Sequence, residues 1–146
     1  MKVLFICTGN TCRSPMAEAI FNKYAQDYDK DYNAFSRGLS VFVSQPTNAK
    51  SLSALNDIGI TNFTHTSTQL TPNDIESCDM VLTMTSVHKI ILKNAFPKYK
   101  NKIFTLNEKA YGTDSDITDP YGKTQNEYNK CCLYIKGAVE QLICIL

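Results

Sequence analysis

Charge of neither sign dominates this sequence: 15 lysines and arginines stand against 14 aspartates and glutamates, a formal net charge of +1. The balance excludes a broad electrostatic footprint for nucleic acid or an anionic membrane, so any anion site must be local. Long apolar runs are missing too. Val3 to Ile6 is far too short for a signal peptide or a membrane span, and nothing later reaches the necessary length; a cytoplasmic protein without membrane association is expected. Zinc spacing is absent. The 6 cysteines, at 7, 12, 78, 131, 132 and 144, include no Cys-x2-Cys pair, and His65 and His88 are close neither to each other nor to a cysteine pair. No metal and no other cofactor is expected. The same positions are a poor framework for stapling a small secreted fold, so reduced thiols are the default. Internal repeats and low-complexity segments are lacking as well, which leaves one domain, residues 1–146, long enough to bury an ordinary core.

What is present centres on Cys7-Thr8-Gly9-Asn10-Thr11-Cys12-Arg13-Ser14-Pro15, between the apolar run Val3 to Ile6 and the helical pattern that begins at Met16. A strand, a tight loop and a helix start in this order can aim successive backbone N–H groups, and the open donors of the helix's first turn, at one anion. Cysteine opens the loop and arginine closes it. The thiolate is the nucleophilic form of Cys7, stabilised by such donors and a guanidinium, while Arg13 offers a planar fork matched to two phosphate oxygens. The local chemistry reads as nucleophilic attack on phosphorus.

Along the chain, Ser14 is placed to cap the first helix, with Pro15 at its first position and apolar Met16, Ala19, Ile20, Tyr24 and Tyr28 facing the sheet. A second strand is expected over Asn33 to Leu39, then an unusually apolar loop, Ser40 to Pro46, carrying Val41, Phe42 and Val43. Thr47 or Asn48 caps a helix from Ala49 to Ile58, ended by Gly59. Thr71-Pro72 starts a short helix, Met80 to Met84 reads as a strand buried on both faces, and Ser86 caps a helix through Ile90, Ile91 and Phe96 that Pro97 stops. Ile103 to Leu106 makes a fourth strand, Asn107 to Asn126 a long polar loop, and a helix from about Glu127 closes the chain with Cys131 and Cys132 in its core stripe. This alternation predicts an α/β fold: a four-stranded parallel sheet, order 2-1-3-4, with helices on both faces and the phosphate-binding loop after the first strand, at the switch point.

The loop from Cys7 to Pro15, continued by Met16-Ala17-Glu18, resembles the signature of the low-molecular-weight protein tyrosine phosphatases, and Asp119-Pro120-Tyr121-Gly122 resembles their acid loop. The resemblance implies a two-step mechanism without cofactor: Cys7 attacks phosphorus to give a phosphocysteine, which water then hydrolyses. Thr8, Gly9, Asn10, Thr11, Cys12, Arg13 and Ser14 would bind the phosphate, with Arg13 stabilising transition-state charge and Asp119 serving as general acid, then base. Ser14 could give its hydroxyl to the Cys7 thiolate. Phe42 and Tyr121 match the aromatic walls, Phe42 standing where many members have tryptophan; Cys12 matches a redox partner able to form a reversible disulfide with Cys7. His65 is expected to act as a hydrogen-bonding support. Thr68, Thr85 and His88 fall where the chain departs from the family pattern, and no role is carried onto them.

The implied partners are tyrosine-phosphorylated proteins, with inorganic phosphate as product and inhibitor, acted on by a monomer. Phosphotyrosine is the expected substrate. The alternative is phosphoarginine, because Thr11, where tyrosine-specific members commonly carry an aliphatic side chain, resembles the protein-arginine phosphatase branch. An arsenate reductase is a more distant rival: Cys78 lies in the relevant region with no neighbour to complete a thiol relay. A catalytically silent phosphate-binding module is opposed by the intact Cys7, Arg13 and Asp119.

Overall fold

The computed structural model describes residues 1–146. Its strands are β1 (Lys2–Cys7), β2 (Asn33–Gly38), β3 (Met80–Thr83) and β4 (Ile103–Thr105), all parallel in the order β2-β1-β3-β4. The observed order is the expected one. Around the sheet lie α1 (Arg13–Asp27), α2 (Ala49–Asp57), α3 (Pro72–Ser77), α4 (Ser86–Ala95), α5 (Leu106–Tyr111) and α6 (Gln125–Ile145), with a 3-10 segment at Pro97–Lys102.

Because side chains alternate across a strand, β1 must serve both faces at once. Val3, Phe5 and Cys7 enter a cluster with Met16 and Ile20 of α1, Leu55 of α2, and Ile135, Val139 and Leu142 of α6. Leu4 and Ile6 face the other way, onto Ile75 of α3 and Leu92 of α4. A strand covered on both sides is apolar throughout, which is why Val3 to Ile6 carries no alternation.

Several local expectations are corrected. Ser14 does not cap α1: the helix starts at Arg13, Cys12 occupies the cap position, and no side chain caps it. Tyr28 lies outside the core, half exposed and stacked on Tyr24 with ring centroids 6.0 Å apart. Thr85 rather than Ser86 caps α4, accepting from the His88 N–H, and Ile90 and Ile91 stay exposed on its outer side. The polar stretch that begins at Asn107 is not one loop. Its first residues form α5, fixed by a capping box in which Thr105 and Glu108 satisfy each other's backbone N–H groups, and Gly112 ends that helix at φ 75°.

Gly38 shows how tightly the first loop is seated at the carboxyl edge of the sheet. A Cβ there would lie 2.8 Å from the Thr8 carbonyl oxygen and 3.0 Å from the Asn10 Cβ. Only glycine lets β2 end this close to the loop that leaves β1.

Candidate active site

The loop from Cys7 to Arg13 lines a cleft of about 220 Å³ that Asp119 and Tyr121 close from the other side. Cys7 is the last residue of β1 and almost wholly buried, with its sulfur reached by two donors. The Asn10 N–H points to Sγ at 3.3 Å, and Ser14 Oγ lies 2.8 Å from it. Ser14 sits behind the sulfur rather than in the lining of the cleft.

The direction of these bonds follows from one unambiguous donor. The Thr68 backbone N–H donates to Asn10 Oδ1 at 2.9 Å, so the other end of that amide is Nδ2, which donates to Ser14 Oγ at 2.8 Å and Ser36 Oγ at 2.9 Å. Ser14, having accepted there, turns its own proton toward Cys7. Ser36 passes its proton to Glu18 Oε1 at 2.8 Å. His65 Nε2, 2.9 Å from the same Asn10 oxygen, must also be a donor. Burial and then the nearby Arg37 charge hold the His65 imidazole below its ordinary pKa, and burial raises that of Glu18. With the imidazole neutral, their 3.8 Å approach is a contact rather than an ion pair. At the hub, Asn10 is fully buried at φ 57°, a left-handed conformation that asparagine tolerates.

Arg13 is 4% exposed and held from two directions. One terminal nitrogen donates to the Ile117 carbonyl at 2.9 Å, and the other lies 3.6 Å from Asp119 Oδ2. Ile117 is buried, and its N–H donates to the Met84 carbonyl at 2.9 Å, so the strap leading to Asp119 is stitched to the end of β3. Asp119 itself is half exposed. Its other oxygen accepts from the Tyr121 N–H at 3.1 Å, an Asx turn that sets the carboxylate ahead of Pro120.

Of the two residues expected as aromatic walls, Tyr121 lines the cleft, whereas Phe42 is 95% exposed on its loop and outside the lining. Cys12 is buried within the lining, its sulfur 3.5 Å from the Tyr128 hydroxyl and 3.7 Å from Thr11 Oγ1. Cys7 and Cys12 are both free thiols, and Cys131 and Cys132 are buried in α6, as read from its stripe. No group of three metal-ligating side chains is assembled anywhere in the chain.

Sequence reasoning missed His88. It is 5% exposed, with Nε2 2.9 Å from Thr8 Oγ1, and burial together with the Arg13 charge lowers its pKa to about 4. A histidine at the start of a helix whose strand ends beside the phosphate loop was the available signal.

A cysteine and an arginine gripping one anion-sized cleft, with a carboxylate across from them, are the equipment of phosphate-ester cleavage through a thiol. The chain belongs to the low molecular weight phosphotyrosine protein phosphatase family, whose model matches residues 2–146. A protein-arginine-phosphatase of Bacillus subtilis is 38% identical over 142 residues, covering 97% of this chain and 94% of its own. The low molecular weight protein-tyrosine-phosphatase PtpB of Staphylococcus epidermidis is 32% identical, covering 97% and 96%. Among solved structures, a cysteine-to-serine mutant of YwlE arginine phosphatase with a phosphorylated active-site serine superposes with a TM-score of 0.94, at 36% identity, covering 100% of this chain and 95% of its own. The family acts on phosphoproteins, and no helix here is long and apolar enough to cross a membrane.

Proposed function

We propose that this single-domain chain is a protein tyrosine phosphatase that hydrolyses phosphotyrosine, and small aryl phosphates, through a phosphocysteine formed on Cys7. The observation that carries the reading is the buried Cys7 sulfur at the cleft, receiving hydrogen bonds from Ser14 and Asn10, with Arg13 and Asp119 3.6 Å apart across the same cleft. The donors favour the thiolate that attacks phosphorus, and Ser14 eases its later departure as leaving group. Arg13 and the first-turn N–H groups of α1, left without a side-chain cap, hold the phosphoryl oxygens of Thr8 to Cys12's cradle. A phosphate seated on Arg13 takes over the guanidinium and frees Asp119 to protonate the leaving oxygen, then to accept the proton of the attacking water. Tyr121 stacks on the substrate ring, and Phe42 serves as the second wall when a substrate side chain reaches its loop. Inorganic phosphate, as product, competes for the same cradle, and the catalytic unit is the monomer.

The reading predicts steady release of phosphate from an aryl phosphate, abolished in Cys7→Ser and slowed by about 10²-fold in Asp119→Ala, the usual scale for removing a general acid. Arsenate-dependent thiol consumption with no phosphate release would overturn it in favour of a reductase.

Thr11 favours phosphoarginine as a second substrate. Thr11 is among the residues lining the cleft, where a hydroxyl suits a polar leaving group, and a protein-arginine-phosphatase is 38% identical to the chain against 32% for PtpB. Phosphotyrosyl and phosphoarginyl peptides compared on wild type and Thr11→Ile separate the two. One pocket side chain shifts such a preference by ~1–3 kcal/mol, so a wild-type preference for phosphoarginine that Thr11→Ile reverses would make this the principal activity.

A further inference from the structure

The two halves of the site come from distant parts of the sequence, the phosphate loop at residues 7–13 and the acid loop around Asp119, and no hydrogen bond of the loop itself joins them apart from those of Arg13. Both converge on the first turn of α4. His88 reaches Thr8 Oγ1 at 2.9 Å, while Lys89, the next residue, reaches Asp114 Oδ2 at 2.8 Å and Glu108 Oε2 at 3.0 Å. In the same turn the Ser86 N–H donates to Asp116 Oδ1 at 2.8 Å. Asp114 and Asp116 belong to the strap that ends in Ile117 and leads directly to Asp119. Beyond Ile117 the contacts are longer, Cys131 Sγ donating to the Thr118 carbonyl at 3.8 Å and Arg13 lying 3.6 Å from Asp119, until the Lys123 carbonyl accepts from Lys50 Nζ at 2.7 Å.

We propose that the first turn of α4 is the positioning element of this site, with His88 fixing the phosphate loop through Thr8 and Lys89 fixing the acid loop through Asp114 and Glu108. The proposal rests on the phosphatase reading above. Neither residue touches the substrate; each acts through another.

Chemistry supports the two assignments separately. His88 Nδ1 is buried without a partner, and an unpaired acceptor there is less costly than an unpaired N–H, so the ring proton sits on Nε2 and is donated to Thr8. The Thr8 hydroxyl proton is then free for an oxygen bound in the cleft, which Thr8 lines. Lys89 is 13% exposed and is the one cation between two carboxylates. Without it Glu108 and Asp114 repel, and the strap loses the contact that sets its distance from α4.

Because the two residues act on different steps, their variants carry different signatures. General-acid assistance matters most for a basic leaving group, so a displaced Asp119 penalises phenyl phosphate more than p-nitrophenyl phosphate. For Lys89→Met, kcat/KM for phenyl phosphate should fall about tenfold further than for p-nitrophenyl phosphate, a part of what misplacing a catalytic group costs. Asp114→Asn, half exposed and safe for folding, should lean the same way. His88→Ala should weaken inhibition by inorganic phosphate about tenfold and lower kcat/KM equally for both esters, the loss of one hydrogen bond to a charged group, and His88→Gln should restore part of it. An equal fall for both esters in Lys89→Met and Asp114→Asn, or an unchanged phosphate inhibition constant in His88→Ala, overturns the proposal. If the wild type shows no Cys7-dependent turnover of either ester, the phosphatase reading fails, and this inference with it.

Discussion

Asn10 is the residue on which the thiol's surroundings depend. One side chain accepts from Thr68 and His65 and donates to Ser14 and Ser36, all within 2.9 Å, while its backbone N–H reaches Cys7. Asn10→Ala strands those partners in a buried place and puts alanine at φ 57°. It should cost about 1–3 kcal/mol in chemical denaturation and lower kcat as well, since Ser14 loses the bond that aims its proton. His88 gives a prediction in pH. Its folded pKa, about 4, lies below the ordinary 6.5, so between those values the unfolded chain binds the proton that the native state refuses. Its contribution to stability is complete above pH 6.5 and is lost as pH falls toward 4. The melting temperature of His88→Gln, measured across that window, should fall less steeply than that of wild type; parallel slopes would contradict the assignment. At this scale the sequence was informative wherever a residue's chemistry is local. Cys7 and Arg13 stand in one loop and their chemistry is readable from residue type and order, whereas Ser14 reads as a helix cap and turns its hydroxyl to Cys7 instead. Glu18, Ser36 and His88 act only because the fold delivers them from elsewhere.

The elements that build the site differ in how openly they declare themselves. β1 and the start of α1 do so through an uninterrupted apolar run and a Ser-Pro at the helix entrance, although the hydroxyl is spent on Cys7 rather than on a cap. α5 does not, because six residues with the polar sequence LNEKAY look like loop until Thr105 and Glu108 are seen to close a capping box. Thr105→Ala should therefore destabilise the protein by about 1 kcal/mol, checked by urea denaturation. β2 ends at Gly38, where an added Cβ meets the Thr8 carbonyl at 2.8 Å. Gly38→Ala should shift the phosphate loop, costing about 1–3 kcal/mol as overpacking does, and should reduce turnover of an aryl phosphate more than it lowers the melting temperature would suggest. In the strand pattern that glycine reads as a weakness. The structure shows a close approach that only glycine permits.

At the scale of the molecule, the parallel order β2-β1-β3-β4 was legible because alternating strand and helix signals leave few topologies, and it places the end of β1 where such sheets bind ligands. What could not be read was the route by which residues 112–118 return across the ends of β3 and α4 to bring Asp119 within 3.6 Å of Arg13. Asp119 was recognisable from its motif, but the strap that carries it is held by bonds whose partners lie up to 104 positions apart. Near-neutral net charge at +1 fits the proposed reading, in which phosphate is held locally by one arginine and a loop. The central claim is that phosphorus passes through the Cys7 sulfur. The measurement that tests it most directly is mass analysis of the protein quenched in acid during turnover of p-nitrophenyl phosphate, using Asp119→Ala to slow release of the intermediate. One phosphoryl group is expected on the peptide containing Cys7, and none in Cys7→Ala. Phosphate release that continues in Cys7→Ala, or proceeds with no phosphoryl group ever on that peptide, would contradict it.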